Sequence, residues 1–488
     1  MDRFVFANRD AARLRVPIRS RLAISERRLL LVTGDLALIC VSILGSLRLW
    51  ASWAEREVSW ALWREQALWA VFIFLGWSLW LQASKLYNLQ DAVRRATSVR
   101  RIAAGSVTIT LAYLIMFFLT TPASSNNEPL LPRIAPALSI VNSTVLLIAW
   151  RLCYAWLLGG PTARRRVLIL GAGNAGTTLC RTIQQEHSAH YRVLGFIDDD
   201  EAKYAYTVDN IHVLGNHTRL LHLAKQHQAD EIALAISAEV HGSLFQSIMD
   251  CHEQGIAVTP MPLLYERLTG RIAVEHIGSQ WYIALPLQQH AASKFLSGIK
   301  RFNDLVFGLA GSLACLVFLP FIAAAIRLDS PGPIFYMQER AGLHGQLIRV
   351  RKFRSMIQDA EGDGQARWAT RDDQRITRVG RFLRKTRLDE LPQVLNVLRG
   401  EMSLVGPRPE RPQFIEQLQH QIPFYRTRLA AKPGLTGWAQ INYGYGATVE
   451  DALIKLQYDL YYIKHQTPWL DFLIMLRTIG VVFQLKGQ

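Results

Sequence analysis

Four apolar runs, at about 29–50, 67–86, 102–119 and 135–158, open the chain and constrain its fold more than any other feature. Each is close to the ~20 residues a helix needs to cross a bilayer, and hydrocarbon leaves the backbone of a single segment few other ways to satisfy its polar groups. Charge in the flanks sets the orientation. Arg3, Arg9, Arg13, Arg15, Arg19, Arg21, Arg27 and Arg28 crowd the stretch before the first run. Lys85, Arg94, Arg95, Arg100 and Arg101 fill the second loop, and Arg164, Arg165 and Arg166 follow the fourth run. The other two loops hold mainly Arg56, Arg64 and Arg133. This alternation puts the N-terminus and everything after the fourth run in the cytoplasm, so a membrane protein with a cytoplasmic remainder is expected. Trp50, Trp53, Trp60, Trp63, Trp77 and Trp80 fall near run ends, as an aromatic belt would. Asp35 is the only acid well inside a run, which favours an anchor over a transporter.

Residues 1–28 form a basic tail without the apolar stretch of a signal peptide. Half of the 488 residues are apolar and the formal net charge is +16. Apolar residues gathered into spans, with basic flanks, exclude a nucleic-acid binder as the leading reading. Cys40, Cys153, Cys180, Cys251 and Cys315 show no paired spacing, which argues against a zinc site and a disulfide framework.

Residues 164–286 read as an α/β unit with a parallel, doubly wound sheet. The run at 166–170 is a buried strand, and Gly171, Gly173 and Gly176 follow it in the G-x-G-x-x-G pattern before a helical stretch. A second strand at 193–197 ends in Asp198-Asp199-Asp200, and a third spans 232–236. The pattern is the dinucleotide fingerprint in its proper setting, and supports a Rossmann-like fold with a candidate nucleotide site. Three uses stay open for it: regulation or assembly, nucleotide binding without redox chemistry, and redox catalysis with NAD. No tyrosine has a lysine four residues later, so the proton-transfer pair of short-chain dehydrogenases is missing.

The last unit, 287–488, begins with an apolar stretch at about 303–326 interrupted by Pro320. A proline in mid-helix removes a backbone hydrogen bond and kinks the helix, and Lys300, Arg301 and Arg327 make both flanks basic. A re-entrant element with both ends cytoplasmic is therefore expected, with a straight fifth span as the rival. The segment at 469–483 is too short to cross and suits the interface.

Between lie dense polar motifs: Gln338-Glu339-Arg340-Ala341-Gly342, Lys352-Phe353-Arg354-Ser355-Met356, Arg387-Leu388-Asp389-Glu390-Leu391-Pro392-Gln393, Gly406-Pro407-Arg408-Pro409-Glu410 and Lys432-Pro433-Gly434-Leu435-Thr436-Gly437-Trp438. Arginine forks match phosphate oxygens in pairs, which makes Arg340, Arg351, Arg354, Arg381 and Arg408 candidates for a phosphate-handling site. Flanking prolines make Arg408 the most rigidly held of them. Leu388, Leu391, Leu395 and Leu398 fit one helical face, with Pro392 in the first turn. Asp389 and Glu390 then lie at a positive helix end among arginines, where a carboxylate stays ionised and can attack phosphorus or hold Mg²⁺.

These motifs, across about 300–464, resemble the bacterial sugar transferase family, the monotopic phosphoglycosyl transferases. The layout resembles its long subgroup, the polyprenyl-phosphate hexose-1-phosphate transferases that start exopolysaccharide, capsule or O-antigen units. The resemblance implies a multi-domain membrane protein with a four-helix transmembrane bundle, a Rossmann-like domain and a mostly helical catalytic domain with a re-entrant helix. It implies Asp389 as nucleophile, Glu390 as its acidic partner, and both as Mg²⁺ ligands. It implies phosphate or substrate binding by Arg408, with Arg340, Lys352, Arg354 and Arg381 beside it. The implied donor is a UDP-sugar, the acceptor is polyprenyl phosphate, and a homodimer is compatible. The family bends its re-entrant helix at a Ser-Pro pair; here the pair is Leu319-Pro320, so the hydroxyl is absent. A membrane-tethered nucleotide-sugar oxidoreductase or dehydratase, and a non-catalytic assembly scaffold, are the alternatives.

Overall fold

The computed structural model describes residues 24–57, 59–120, 133–158, 164–204, 207–236, 242–276, 294–358, 373–444, 446 and 448–483. Most of the basic tail and the expected boundary at 286/287 lie outside the described residues.

The four runs form α1 (Ile24–Trp53), α2 (Trp60–Ala83), α4 (Arg95–Thr120) and α5 (Ile134–Leu158), with a short α3 (Leu89–Val93) between the second and third of them. All four long helices have the length and apolarity to cross a membrane. They share one core that includes Ile39, Trp69, Trp77, Ile109 and Leu147, while Val71, Val107, Ile115 and Val145 stay exposed on the outside. Apolar residues both inside and out are what a lipid surround calls for. Polar residues bind helix to helix inside: Ser42 Oγ donates to Ser139 O at 2.9 Å, and Asn142 Nδ2 to Ser46 Oγ at 2.9 Å. Asp35, solitary in the sequence, is paired with Arg151 of α5, and Arg151 also donates to Leu86 O at 2.9 Å. Both side chains are fully buried, so the pair ties α1, α5 and the segment after α2 together.

The middle unit holds a six-stranded sheet in the order β3-β4-β2-β1-β5-β6. Its strands are β1 (Arg165–Leu170), β2 (Tyr191–Ile197), β3 (Thr207–Val208), β4 (Ile211–Gly215), β5 (Glu231–Leu234) and β6 (Ala257–Pro260). All pairings are parallel except β3 with β4. Helices α6 (Asn174–Glu186) and α9 (Met261–Thr269) cover one face, and α7 (Leu220–Gln226) and α8 (Gly242–Glu253) the other. The alternation within β1 makes this possible: Val167 and Ile169 enter one core, Leu168 and Leu170 the other. The sheet is thus doubly wound, as the pattern of the sequence requires.

The last unit starts with α10 (Lys294–Asp329), 36 residues long and continuous through Pro320. The proline costs one backbone bond without ending the helix. At about 1.5 Å per residue the helix is about 54 Å long if straight, against the roughly 30 Å of bilayer hydrocarbon. Both of its ends are fastened to the same folded unit. At the start, Arg301 donates to Val397 O and Leu398 O, each at 2.7 Å, and Asp304 accepts from Leu404 N at 2.9 Å. At the other end, Ile322 and Ile326 pack with Phe353 and Leu383, and Arg354 donates to Ser330 O and Pro331 O, each at 2.6 Å. The outer face carries exposed Phe302, Leu309, Leu313, Leu316 and Phe321.

An antiparallel hairpin follows, β7 (Phe335–Ala341) with β8 (Leu347–Phe353), then α11 (Arg378–Lys385), a 3₁₀ turn at Leu388–Gln393, and α12 (Val394–Arg399). A parallel pair, β9 (Ser403–Val405) with β10 (Gly434–Thr436), encloses α13 (Pro412–Gln419). Helices α14 (Trp438–Asn442), α15 (Val449–Lys464) and α16 (Pro468–Phe483) complete the unit. Ile272 and Val274 of the middle unit enter the same core as Phe414, Leu418, Leu456 and Leu460, so the two units share apolar packing.

Candidate active site

The leucine face expected behind the two acids is not the buried one. Residues 388–393 wind as a 3₁₀ turn, three residues per turn rather than 3.6, and this shifts the register before α12 begins. Pro392, Val394, Asn396 and Val397 are buried instead, and Leu395 is 37% exposed. Arg387 takes a left-handed conformation (φ 61°) immediately ahead of the turn. Asp389 and Glu390 end up 7% and 6% exposed, side by side in its first turn.

Their surroundings differ. Lys352 Nζ, on β8, donates to Glu390 Oε1 at 3.0 Å. Arg408 approaches both Glu390 oxygens, its Nη1 lying 3.4 Å from Oε2, and Arg387 Nη1 lies 3.9 Å from Oε2. Burial alone would push the Glu390 carboxyl up, but Arg408, Lys352 and Arg387 together outweigh it and hold it well below the usual carboxylate range. Asp389 is pushed up to about 6, first by burial and then by the charge of Glu390, with Lys352, Arg384 and Arg408 pulling the other way. The setting therefore keeps Glu390 ionised at low pH, whereas burial and the charge of Glu390 bring Asp389 up to about 6, which still leaves it ionised at neutral pH. Among the described residues the Asp389 carboxylate accepts no hydrogen bond.

Arg408 is fixed from behind. Arg428, buried, donates to Arg408 O at 3.0 Å, to Tyr425 Oη at 2.7 Å and to Asp459 Oδ2 of α15 at 2.9 Å. The side chain of Arg408 remains 43% exposed and fronts a cavity lined by Pro407, Pro409, Glu410, Arg428 and Leu429. Arg340 borders this region but is occupied: its Nε donates to Gln338 Oε1 at 2.9 Å, and its Nη1 lies 3.2 Å from both Pro409 O and Glu410 Oε1.

Two other expected phosphate binders stand apart. Arg354 spends its guanidinium on the carbonyls that end α10, a helix-terminating task. Arg381 is exposed on α11, and Arg384, one turn further on, is the residue of that helix whose charge acts on Asp389. Arg384 and Arg387, which flank the acids, join the site through their charges, a role that no motif spacing announces. Arg428 and Asp459 left no local sign, because their roles depend on segments 20 and 31 residues apart meeting in space.

The chemistry of the donor set decides what metal it suits. Both Glu390 oxygens already face cations, so the pair offers one free carboxylate, Asp389. That fits magnesium held mainly by substrate phosphates, as that ion prefers, and not an all-protein cage. Among the described residues no group of three acidic, histidine or cysteine side chains could hold a metal by itself.

The glycine loop is arranged otherwise. Gly171 has φ 109°, and a Cβ on Gly176 would fall 2.0 Å from Gly171 O, so close packing of loop on helix requires both. Gly173 faces open space. Asp198, just after β2, is already engaged. It accepts from Ala172 N at 2.7 Å and from Asp200 N at 3.0 Å, and it pairs with Lys203 at 3.1 Å.

Comparison with known proteins bears on both units. Residues 295–485 match the family model described as bacterial sugar transferase, and residues 82–262 match one described as CoA-binding domain. A UDP-N-acetylgalactosamine-undecaprenyl-phosphate N-acetylgalactosaminephosphotransferase of Aeromonas hydrophila is 42% identical over 48% of this chain and 53% of its own length. An undecaprenyl-phosphate glucose phosphotransferase of Komagataeibacter xylinus is 34% identical over 68% of this chain and 63% of its own. The UDP-glucose:undecaprenyl-phosphate glucose-1-phosphate transferase of Escherichia coli strain K12 is 32% identical over 72% of this chain and 75% of its own. The chain thus spans between about half and three quarters of the length of these relatives.

Proposed function

The chain belongs to the bacterial sugar transferase family, and on that premise we propose that it transfers a hexose-1-phosphate from a UDP-sugar to undecaprenyl phosphate, so beginning a polysaccharide repeat unit. The observation that carries this reading is the division of labour between adjacent carboxylates: Glu390 is neutralised by Lys352 and Arg408, while among the described residues Asp389 accepts no hydrogen bond.

In this reading an Asp389 oxygen attacks the phosphorus that bears the sugar. The bond from that phosphorus to the bridging oxygen breaks, and UMP leaves with the bridging oxygen and its electron pair. A phosphate oxygen of undecaprenyl phosphate then attacks the same phosphorus. The aspartyl–phosphorus bond breaks, the carboxylate is restored, and undecaprenyl-diphosphate-sugar departs. A covalent carboxylate route splits one difficult transfer into two easier ones. Arg408 has one face on Glu390 and its other side open, a placement that suits gripping the donor diphosphate. Asp389 would help to hold magnesium together with the donor diphosphate, whose charge the ion would offset. Glu390 acts by setting Arg408 and Lys352 in place.

We read α1, α2, α4 and α5 as a transmembrane four-helix bundle and α10 as re-entrant, with the catalytic unit against the cytoplasmic leaflet of the inner membrane. Fastening both ends of α10 to one unit, while its other face is apolar and exposed, supports that arrangement. The middle unit is Rossmann-like in this reading, and regulates or assembles. Engagement of Asp198 within its own loop argues against NAD turnover there. The test is to incubate the purified full chain with Mg²⁺, undecaprenyl phosphate and a panel of UDP-sugars. UMP released with one or two of them supports the reading. No UMP with any, from folded protein, contradicts it.

A further inference from the structure

Two cations stand where the membrane helices meet the catalytic unit, and among the described residues neither forms an ion pair with a carboxylate, although the charge of Asp91 reaches Lys85. Lys85, just beyond α2, reaches Asn442 Oδ1 of α14 with its Nζ at 3.2 Å. Arg477 of α16 lies over the Trp438 ring of the same helix, 5.5 Å from its centroid. Trp438 and Asn442 are one turn apart, and Asn442 Nδ2 donates to Trp438 O at 3.0 Å, so both cations address one short helix. Among the described residues the buried Nε–H of Arg477 has no acceptor. The charges act on one another: burial and then Arg477 hold Lys85 below the usual lysine range, and burial and then Arg28 lower Arg477 to about 10. Two acids near this corner are engaged elsewhere: Asp91 pairs with Arg101 at 2.7 Å, and Glu266 with Lys464 at 2.9 Å and with His465. Half-buried cations without a counter-ion cost free energy that a bound anion returns.

The location selects the anion. Arg28 stands in the first turns of α1 and Lys85 just past the end of α2, while α16 is an apolar helix that packs against α2. Basic pockets between membrane helices bind lipid phosphates, and tryptophan favours the same depth. We propose that Lys85, Arg477 and Arg28 form a binding site for the phosphate headgroup of an anionic phospholipid, at the seam between the membrane helices and the catalytic unit. Such a lipid would bridge α1, α2 and α16, and so fasten the catalytic unit to its anchor. None of the three residues belongs to the transfer machinery, so the site stands or falls separately from the reaction proposed above.

The experiment uses the full chain in neutral detergent and reads lipid retention by native mass spectrometry, with phosphatidylglycerol, phosphatidylcholine, undecaprenyl phosphate and inorganic phosphate as separate probes. Phosphatidylglycerol is expected to be retained and phosphatidylcholine not. The double variant Lys85→Gln/Arg477→Gln should weaken phosphatidylglycerol retention by about thirtyfold, since each basic side chain contributes about a factor of five at an anionic surface. Lys85→Arg/Arg477→Lys, which keeps both charges, should retain it, and this separates loss of the site from loss of the fold. Equal retention of phosphatidylcholine, or retention unchanged in the charge-removing variant, overturns the proposal. Retention of undecaprenyl phosphate alone, or equal occupancy by inorganic phosphate, overturns the assignment to a phospholipid.

Discussion

The glycine loop of the middle unit and the acid–arginine cluster of the catalytic unit both carry the residues of a phosphate site, yet only one has bonding capacity to spare. In the loop, Asp198 is spent on Ala172, Asp200 and Lys203. In the cluster, Glu390 absorbs Lys352 and Arg408, while among the described residues Asp389 accepts no hydrogen bond and Arg408 stays 43% exposed. A motif shows which groups are present. Whether they can act on a ligand depends on which hydrogen bonds they have already made, and a buried group kept unpaired at a cost is the mark of a working site.

The sharpest way to break this contrast is Asp389→Asn, nearly isosteric but without the charge. UMP release is expected to fall by about a thousandfold or more, as for loss of a nucleophile, with the thermal midpoint unchanged or raised, because a buried, repelled charge is removed. Residual activity within tenfold of wild type would place the chemistry elsewhere.

Next in size is Asp459→Asn. It keeps the shape of the buried partner of Arg428 but loses the charge that helps hold Arg408 in line. A fall of about tenfold to a hundredfold in kcat, with donor KM changing much less, is expected of a misplaced phosphate clamp. An unchanged kcat would show that Arg408 needs no support from α15.

The pH profile sharpens the comparison further. Asp389 is raised to about 6, so it is ionised above that value and takes up a proton below it. Glu390 is held below the usual range and stays charged throughout. UMP release per enzyme should therefore be flat above about pH 7 and fall about tenfold per unit below pH 6. A profile flat down to pH 4.5 would mean that the nucleophile is not the raised carboxylate.

The smallest effect on chemistry is expected in the loop. Asp198→Asn removes a charge that Lys203 and the loop amides share, and should lower stability by about 1–2 kcal/mol while leaving UMP release within twofold. A large loss of activity in a folded variant would join the two regions functionally.

The sequence displayed much of this. Apolar runs and basic flanks marked the four long helices, and the alternation around 166–170 marked a buried strand with helices on both faces. The Asp389-Glu390 pair and the prolines around Arg408 marked the cluster. Other features were hidden for physical reasons. The 3₁₀ winding at 388–393 moved the buried face away from Leu395, which helical periodicity cannot foresee. Arg354 looked like a phosphate binder because an arginine reads the same whether its fork meets phosphate or the carbonyls of a helix end. Arg151, Arg428 and Asp459 acquire meaning only through contacts between distant segments.

In the proposed route Asp389 forms a bond to phosphorus before the lipid acceptor takes part. Wild-type full chain, given Mg²⁺, labelled UMP and the UDP-sugar that supports turnover, but no undecaprenyl phosphate, should pass label into the UDP-sugar, and Asp389→Asn should not. Active enzyme that exchanges no label without the acceptor, or Asp389→Asn that exchanges as well as wild type, would contradict it.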